Sequence, residues 1–490
     1  MSKNLKVLIA ASEVSTFAQT GGLAEVAGSL PLAFASLGIE TAVIMPAYRE
    51  ALKNKTVGDA GIEFAVGRGD ARKTAKLLKG ELRSDDKTPA VPVYLVDYPP
   101  HFDRDGIYEA DKTAFPDNHV RFAFFSKAVI AAFPLLGGDP PDIILANDWQ
   151  TGLIMPYLLE LGPDAPKGVF VIHNQGFLGL APPEAKADIG LPESYYGVNG
   201  LEYHGLLSYL KAGIVYSKTL ITVSPTYAKE IQTPEEGHGL DGLLREHSFK
   251  LHGILNGVDY KVWDPANDPH IPAVYTRDNL EGKRRCKEAF LKLAGLPDDP
   301  ERPLFAMVSR LTAQKGISLV IEAAKNMFSL GTNLAILGTG EPWFQERLQA
   351  LALEFPENFW LKLDYNANLS HLMVAAADFV LVPSTYEPCG LIQLYALRYG
   401  AIPVVRATGG LNDTVRDFAG QNPSGLWDTG FKFSSFNERA LFRAVRRATE
   451  LYRRKDDFTT MCKNNMGENF SWETSARSYY SVFLNITKSA

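Results

Sequence analysis

Short, almost wholly apolar runs recur along the chain, each followed by a longer stretch with helical periodicity. Residues 7–11, 41–45, 93–96, 143–146, 169–172 and 220–223 form one series, and 304–308, 334–337, 359–363, 379–382 and 403–405 form a second. An antiparallel strand with one wet face alternates apolar and polar residues. These runs do not, which is the pattern of parallel strands covered on both faces. Parallel neighbours need long crossover connections, and the helical stretches between the runs supply them. The expected class is therefore α/β, with doubly wound parallel sheets. Between the two series lies Trp263-Asp264-Pro265-Ala266-Asn267-Asp268-Pro269, then Ile271-Pro272. That density of Pro, Asn and Asp breaks regular structure and reads as an interdomain connection. At about 150 residues per domain, 490 residues allow two to four domains, and two strand series favour two.

Charge and cysteine content exclude several functions. The 50 Lys and Arg stand against 56 Asp and Glu, so the net charge of -6 offers no basic face for nonspecific nucleic-acid binding. The short basic clusters, Arg284-Arg285 and Arg453-Arg454-Lys455, sit beside Glu281 and Asp456-Asp457 and read as solvated helix faces. Cys286, Cys389 and Cys462 are too far apart for a disulfide framework or zinc knuckle, and they suit a reducing compartment. No His, Cys or acid shows metal-ligand spacing. The start of the chain, with Lys3 and Lys6 before residues 7–11, is too short an apolar stretch for a signal peptide before Glu13 intervenes. Residues 122–136 contain Lys127 and Pro134 and are too short to span a bilayer. The expectation is a soluble, cytoplasmic protein without metal, nucleic acid or membrane partner.

Several motifs fall at predicted strand ends. Thr20-Gly21-Gly22-Leu23 follows the first run and Thr408-Gly409-Gly410-Leu411 follows the last, each with an acid two residues later. Paired glycines at a strand-to-helix turn leave amides uncovered for a phosphate or sugar, at the positive end of the next helix. For either loop alone an ordinary α/β turn explains the glycines as well. Gly338-Thr339-Gly340 lacks the third glycine of a dinucleotide fingerprint, since Trp343 stands there. Arg310 and Lys315 end the strand at 304–308, where a guanidinium and an ammonium could clamp a pyrophosphate or form a plain surface pair. Glu387 precedes Pro388-Cys389-Gly390 at the end of the strand at 379–382, as a crevice carboxylate or as a first-turn acid answering the helix dipole. Asn147-Asp148-Trp149 and His173-Asn174 end two neighbouring strands in the first half.

Together these motifs resemble the bacterial glycogen synthase and plant starch synthase family of retaining GT-B glycosyltransferases. The likeness spans nearly the whole chain and includes Val223-Ser224-Pro225-Thr226-Tyr227-Ala228, Glu230-Ile231-Gln232-Thr233-Pro234, Gly239-Leu240-Asp241-Gly242 and Ile254-Leu255-Asn256-Gly257-Val258-Asp259. The resemblance implies two doubly wound Rossmann-like domains facing a deep cleft. Residues 1–253 would form the acceptor-side domain, 254–470 the nucleotide-sugar domain, and 471–490 a helix returning to the first. The implied activity is transfer of glucose from ADP-glucose or UDP-glucose to the nonreducing end of an α-1,4-glucan (glycogen or maltooligosaccharide), with retention and with no cofactor or metal. Arg310 and Lys315 would hold the diphosphate, and Glu387 would lie against the donor sugar and ribose. Amides around Cys389, Gly390 and Leu391 would hold glucose hydroxyls, with Thr408 and Gly409 beside the donor. Asp148, His173 and Asn174 would line the glucose and acceptor side, and Gly21 and Gly22 would admit the donor.

One position departs from the family pattern. The first glycine loop there opens with lysine two residues before Gly-Gly, and here that position is Gln19. A charge-assisted hydrogen bond contributes about 1.5–3 kcal/mol, so its loss costs about tenfold to a hundredfold in donor binding or turnover. Three readings follow: a working synthase with altered donor preference or rate, a related glucosyltransferase with another acceptor, or a non-catalytic glucan-binding homologue.

Overall fold

Each apolar run of the sequence overlaps a β-strand, with Ala11, Val223 and Leu363 falling one residue beyond theirs. The computed structural model describes residues 5–67, 72–84, 88–111, 113–364, 366–418 and 428–488. Lys3, at the start of the basic leading segment, and the last two residues of the 471–490 segment lie outside the described residues. The chain divides into two units, one running to Val223 and adding Ala228–Gly257 and the chain from Trp472, the other comprising Ser224–Tyr227 and Val258–Ser471.

The first unit is built on nine strands: β1 (Lys6–Ala10), β2 (Glu40–Pro46), β3 (Gly58–Val66), β4 (Lys73–Leu82), β5 (Val91–Asp97), β6 (Ile143–Asn147), β7 (Lys167–Ile172), β8 (Thr219–Thr222) and β9 (Leu251–Gly253). Their spatial order is β9-β8-β7-β6-β1-β2-β5-β4-β3. Pairing is parallel from β9 through β5, and the hairpin β3–β4 adds antiparallel to that edge. The hairpin escapes a search for continuous apolar runs because polar Lys, Asp, Glu and Thr side chains punctuate both strands, as a wet sheet face allows. Chain order reverses between β1 and β6, so the loops following these two strands open at the topological switch point, where open α/β sheets hold ligands.

The helix Trp472–Lys488 belongs to this unit. Tyr479 and Phe483 set their rings 5.9 and 5.6 Å from Phe34 on the helix Gly22–Ser36, and Ser475 Oγ donates to the Leu255 carbonyl at 2.7 Å. The sequence boundary at 253/254 falls four residues early. After β9 the amide of Ile254 still bonds the Thr222 carbonyl at the end of β8, so the chain stays with the first sheet to Gly257.

The second unit carries six strands: β10 (Leu304–Val308), β11 (Asn333–Leu337), β12 (Phe359–Lys362), β13 (Phe379–Val382), β14 (Ile402–Arg406) and β15 (Phe431–Phe433). They are all parallel, in the order β12-β11-β10-β13-β14-β15. In chain order this is the 3-2-1-4-5-6 arrangement of the Rossmann fold, with its switch point between β10 and β13. The loops after those strands carry Arg310, Lys315 and Glu387.

The Pro/Asn/Asp-rich segment is irregular, as expected, but it is strapped to the second unit. Trp263 stacks on His371 at 3.7 Å and on Tyr395 at 3.9 Å. Asp268, 3% exposed, accepts from Tyr399 Oη at 2.6 Å and lies 2.8 Å from His371 Nδ1. Ser224–Tyr227 is likewise tied to this unit. The Asp413 carboxylate takes the amide and hydroxyl of Thr226 at 2.7 and 2.6 Å, and Ser224 Oγ donates to the Pro388 carbonyl at 2.6 Å. Among the described residues no helix is long and apolar enough to cross a membrane, and the run at 122–136 begins within the helix Asn118–Ala132.

Candidate active site

At the end of β1 the buried carboxylate of Glu13 organises the first glycine loop. It accepts the amides of Thr20 at 2.5 Å and Gly21 at 3.0 Å, and Tyr108 Oη at 2.7 Å, with Ser12 Oγ 2.7 Å from the same phenol. The expectation of uncovered amides is thereby corrected for Gly21, whereas the Gly22 amide has no partner among the described residues. The positive end of the helix Gly22–Ser36 is met by an internal anion, which uses the same dipole attraction that would draw a phosphate. The glycines serve a different purpose. A Cβ at Gly21 or Gly22 would meet no described atom within 4 Å, and Gly21 is extended with φ -154°. Neither packing nor backbone demands glycine there, so the bare backbone keeps space clear outside the loop. Gln19 is exposed and faces a cavity of ≈ 610 Å³ also lined by Thr16, Arg49, Lys53 and Arg104. Arg49 there is held by Asp103 and Asp105, and Arg104 by Asp117.

At the end of β6, Asp148 turns the chain at φ 59° and ψ 179°, a conformation that side-chain-bearing residues adopt only when the surroundings impose it. Its Oδ1 accepts the amides of His173 at 2.9 Å and Asn174 at 3.4 Å, which joins the ends of β6 and β7. Burial pushes the Asp148 carboxyl up to about 7, against the pull of those two amides, and the charge of Glu13 adds to the rise. His173 places Nε2 2.9 Å from Asn147 Oδ1, and burial lowers its pKa to about 3, so the ring is neutral. Asn174 spends its side-chain oxygen on the amide of Gly176, shaping its own turn. Trp149 is packing: its ring lies against Phe122 at 5.1 Å and fills the space over Gly179.

In the second unit the loops after β10 and β13 are knitted together. The Gln314 carbonyl accepts Thr385 N at 2.8 Å and Thr385 Oγ1 at 3.0 Å, Gln314 Nε2 donates to the Tyr386 carbonyl at 3.2 Å, and Arg406 donates to the Thr385 carbonyl. This scaffold sets Lys315 Nζ 2.6 Å from Glu387 Oε2, which also accepts Ser384 Oγ at 2.9 Å. The Lys315 and Glu387 side chains are 18% and 9% exposed, so the pair is largely shielded from water. Arg310 is exposed and has no ion-pair partner among the described residues. The structure therefore brings Lys315 and Glu387 into contact and leaves the Arg310 guanidinium open.

The glycines of the second loop are structural. Gly409, at φ 43°, would place a Cβ 1.9 Å from the Glu387 carbonyl oxygen, and Gly410 would place one 2.2 Å from that of Cys389. The Gly410 amide is taken by the Glu387 and Pro388 carbonyls, both at 3.1 Å, so it too is covered. Thr408 and Cys389 are buried in the same interlock. Gly390 sits at φ 73° against the Gln393 side chain, and the amides of Gly390 and Leu391 have no partner among the described residues. Gly338 and Gly340 prove to be packing glycines: a Cβ on either would strike the carbonyl oxygen of Ser309 or Leu311. Among the described residues no group of three or more His, Cys, Asp or Glu could hold a metal ion.

Sequence reasoning missed Glu13, Tyr108, Ser384, Gln314 and Arg406. Only Glu13 carried a usable signal, as an acid just beyond the end of β1. The others act through backbone carbonyls, hydroxyls or contacts distant in sequence.

Two units with parallel sheets, carrying acid, imidazole and cation at their strand ends, have the form of a GT-B glycosyltransferase. A starch synthase catalytic domain model matches residues 6–246, and a model for glycosyl transferases group 1 matches 293–464. The chain is 42% identical to a glycogen synthase of Syntrophotalea carbinolica and 43% identical to one of Desulfatibacillum aliphaticivorans, over 98% of each chain in both cases. It superposes on the catalytic domain of starch synthase IV from Arabidopsis thaliana, bound to ADP and acarbose, with TM-score 0.91 and 30% identity, over 99% of this chain and 100% of that one. The chain belongs to the glycogen synthase family. It is a glycosyltransferase of the glycogen and starch synthase type, with a nucleotide sugar and a glucan as its partners.

Proposed function

We propose that the protein transfers glucose from ADP-glucose, in preference to UDP-glucose, to the nonreducing end of an α-1,4-glucan with retention of configuration, in the cytoplasm and without metal or cofactor. The observation that carries the reading is the Lys315–Glu387 pair with Ser384 at the Rossmann switch point, beside an unpaired Arg310. Arg310 and Lys315 neutralise the diphosphate as it leaves, a task that preorganised cations perform without solvent reorganisation. Glu387 takes donor hydroxyls through Oε1, which has no partner among the described residues, while Lys315 and Ser384 hold Oε2. The amides of Gly390 and Leu391 add donors toward glucose, with Cys389, Thr408 and Gly409 shaping the loop behind them. Asp148, His173 and Asn174 serve the glucose and acceptor side, and Gly21 and Gly22 leave room for the donor beside Gln19. The ADP preference is supported by the starch synthase IV structure, which holds ADP.

The test is release of nucleoside diphosphate from either glucose donor in the presence of glycogen. ADP-glucose is the better donor, and Glu387→Ala and Lys315→Ala each nearly abolish turnover. No release from either donor would sink the synthase reading and favour a binding role for which no observation speaks at present.

A further inference from the structure

His173 is held at both ends by neighbours in sequence. Asp148 takes its backbone N–H, and Asn147 faces its ring. The register of β6 and β7 sets Asn147 opposite Val171, two residues before His173, and the period of two along a strand returns both side chains to one sheet face. Asn147 is 2% exposed and both protons of its side-chain amide are assigned. Nδ2 donates to the carbonyls of Ala10 at 3.1 Å and Leu145 at 3.2 Å. With both amide protons used, the atom facing His173 is the carbonyl oxygen, which can only accept. An acceptor 2.9 Å from Nε2 requires the proton to be there. In a neutral imidazole that leaves Nδ1 a bare acceptor, and Nδ1 has no partner among the described residues.

From this geometry we infer that Asn147 is a positioning residue: it locks His173 in the Nε2–H tautomer and makes Nδ1 an acceptor for a substrate hydroxyl. The hydroxyl rests on the reading of His173 given above, whereas the tautomer does not. Burial alone lowers the imidazole pKa, so the ring stays neutral across the working range. The titratable groups around it are Asp148, bonded to its amide, and Glu13, which acts on Asp148. Neither is bonded to the ring, and among the described residues no other group contacts Nε2 in competition with Asn147.

The tautomer is measurable in the wild-type enzyme. Protein labelled with ¹⁵N at histidine, with His173 assigned by the signals missing from His173→Gln, shows the pattern of a protonated Nε2 and a lone-pair Nδ1, unchanged down to pH 5. Asn147→Leu removes the acceptor, lets the Nδ1–H form appear and lowers kcat roughly tenfold, with donor KM little changed. Asn147→Asp keeps an acceptor but adds charge, which stabilises the imidazolium, so the acid limb of the kcat profile moves upward by at least one pH unit. A wild-type His173 protonated on Nδ1, or an Asn147→Leu enzyme with unchanged tautomer and turnover, overturns the inference. Full turnover in His173→Gln would instead overturn the substrate-facing role and leave the tautomer assignment standing.

Discussion

Replacing Asp148 with Asn should make the first unit more stable, and increasingly so as the pH rises. The Asp148 carboxyl has an ordinary value of 3.8 and is raised to about 7 in the fold. A group whose folded pKa is raised contributes full stability below its unfolded pKa and loses it as the pH climbs through the folded one. At pH 8 the native state must hold a buried carboxylate that the unfolded chain leaves in water, at a cost of about 4 kcal/mol. At pH 5 the native group is protonated and the cost is about 2 kcal/mol, both figures following from 1.36 kcal/mol per unit. Asn removes the titration and keeps Oδ1 for the amides of His173 and Asn174. Asn has the same branching as Asp at Cβ and Cγ, so the strain imposed at φ 59° and ψ 179° is the same in both proteins and cancels from the comparison. Denaturant unfolding of Asp148→Asn against wild type at pH 5 and pH 8 reads the difference directly, with a gain larger by about 2 kcal/mol at pH 8. The kcat/KM profile of the wild type should carry a titration near pH 7 that the variant lacks, and turnover should fall. Equal stability changes at the two pH values would refute the account of a buried, proton-holding Asp148.

The two glycine loops should respond oppositely to alanine. Gly409→Ala forces a Cβ to 1.9 Å from the Glu387 carbonyl and should destabilise the second unit by about 2–4 kcal/mol in denaturant unfolding, whereas Gly21→Ala should leave unfolding unchanged and raise the donor KM. Asp268→Ala strips Tyr399 Oη and His371 Nδ1 of their buried acceptor and should cost about 2–4 kcal/mol, most clearly as a lowered midpoint for the second unit. Gln19→Lys should lower donor KM or raise turnover about tenfold or more, an effect weakened by added salt; a variant indistinguishable from wild type would show that position 19 does not face the donor.

Most of the parallel strands were legible because burial on both faces keeps their central residues apolar, with polar residues mainly at the strand ends, and residues 304–308 and 379–382 match β10 and β13 to the residue. The hairpin β3–β4 was not, because polar residues such as Lys76, Lys79 and Glu63 break up its apolar pattern. The placement of the candidate site residues was legible: Arg310, Lys315, Glu387, Asp148 and His173 all lie at or beyond the carboxyl ends of parallel strands. What each touches was not. Nothing in residue order says that Lys315 meets Glu387, or that Gln314 holds Thr385 through its main chain, because those contacts depend on which strands are neighbours. The segment from Trp263 to Pro269 shows the same limit. Its composition marks the absence of regular structure correctly, yet the ring stack and the Asp268 bonds that fasten it depend on His371, Tyr395 and Tyr399, more than 100 residues away.

The repeated Thr-Gly-Gly-Leu makes the distinction sharper, because identical residues perform two physical tasks. At Gly409 and Gly410 the missing side chains let a neighbouring main chain approach, and that approach positions Glu387. At Gly21 and Gly22 the missing side chains meet nothing, so their effect is on whatever arrives from outside. The charge balance differs in the same way. Glu13 already answers the helix pole at the first loop, and Gln19 adds no positive charge, so the loop itself carries no cation to draw an anion. The second unit retains the guanidinium of Arg310, without an ion-pair partner among the described residues, and an ammonium at Lys315. Since Lys315 already spends part of its field on Glu387, Arg310 is the cation whose interaction with a diphosphate is least offset by a partner. On the proposed function, attraction for the diphosphate is therefore expected to rest mainly on Arg310.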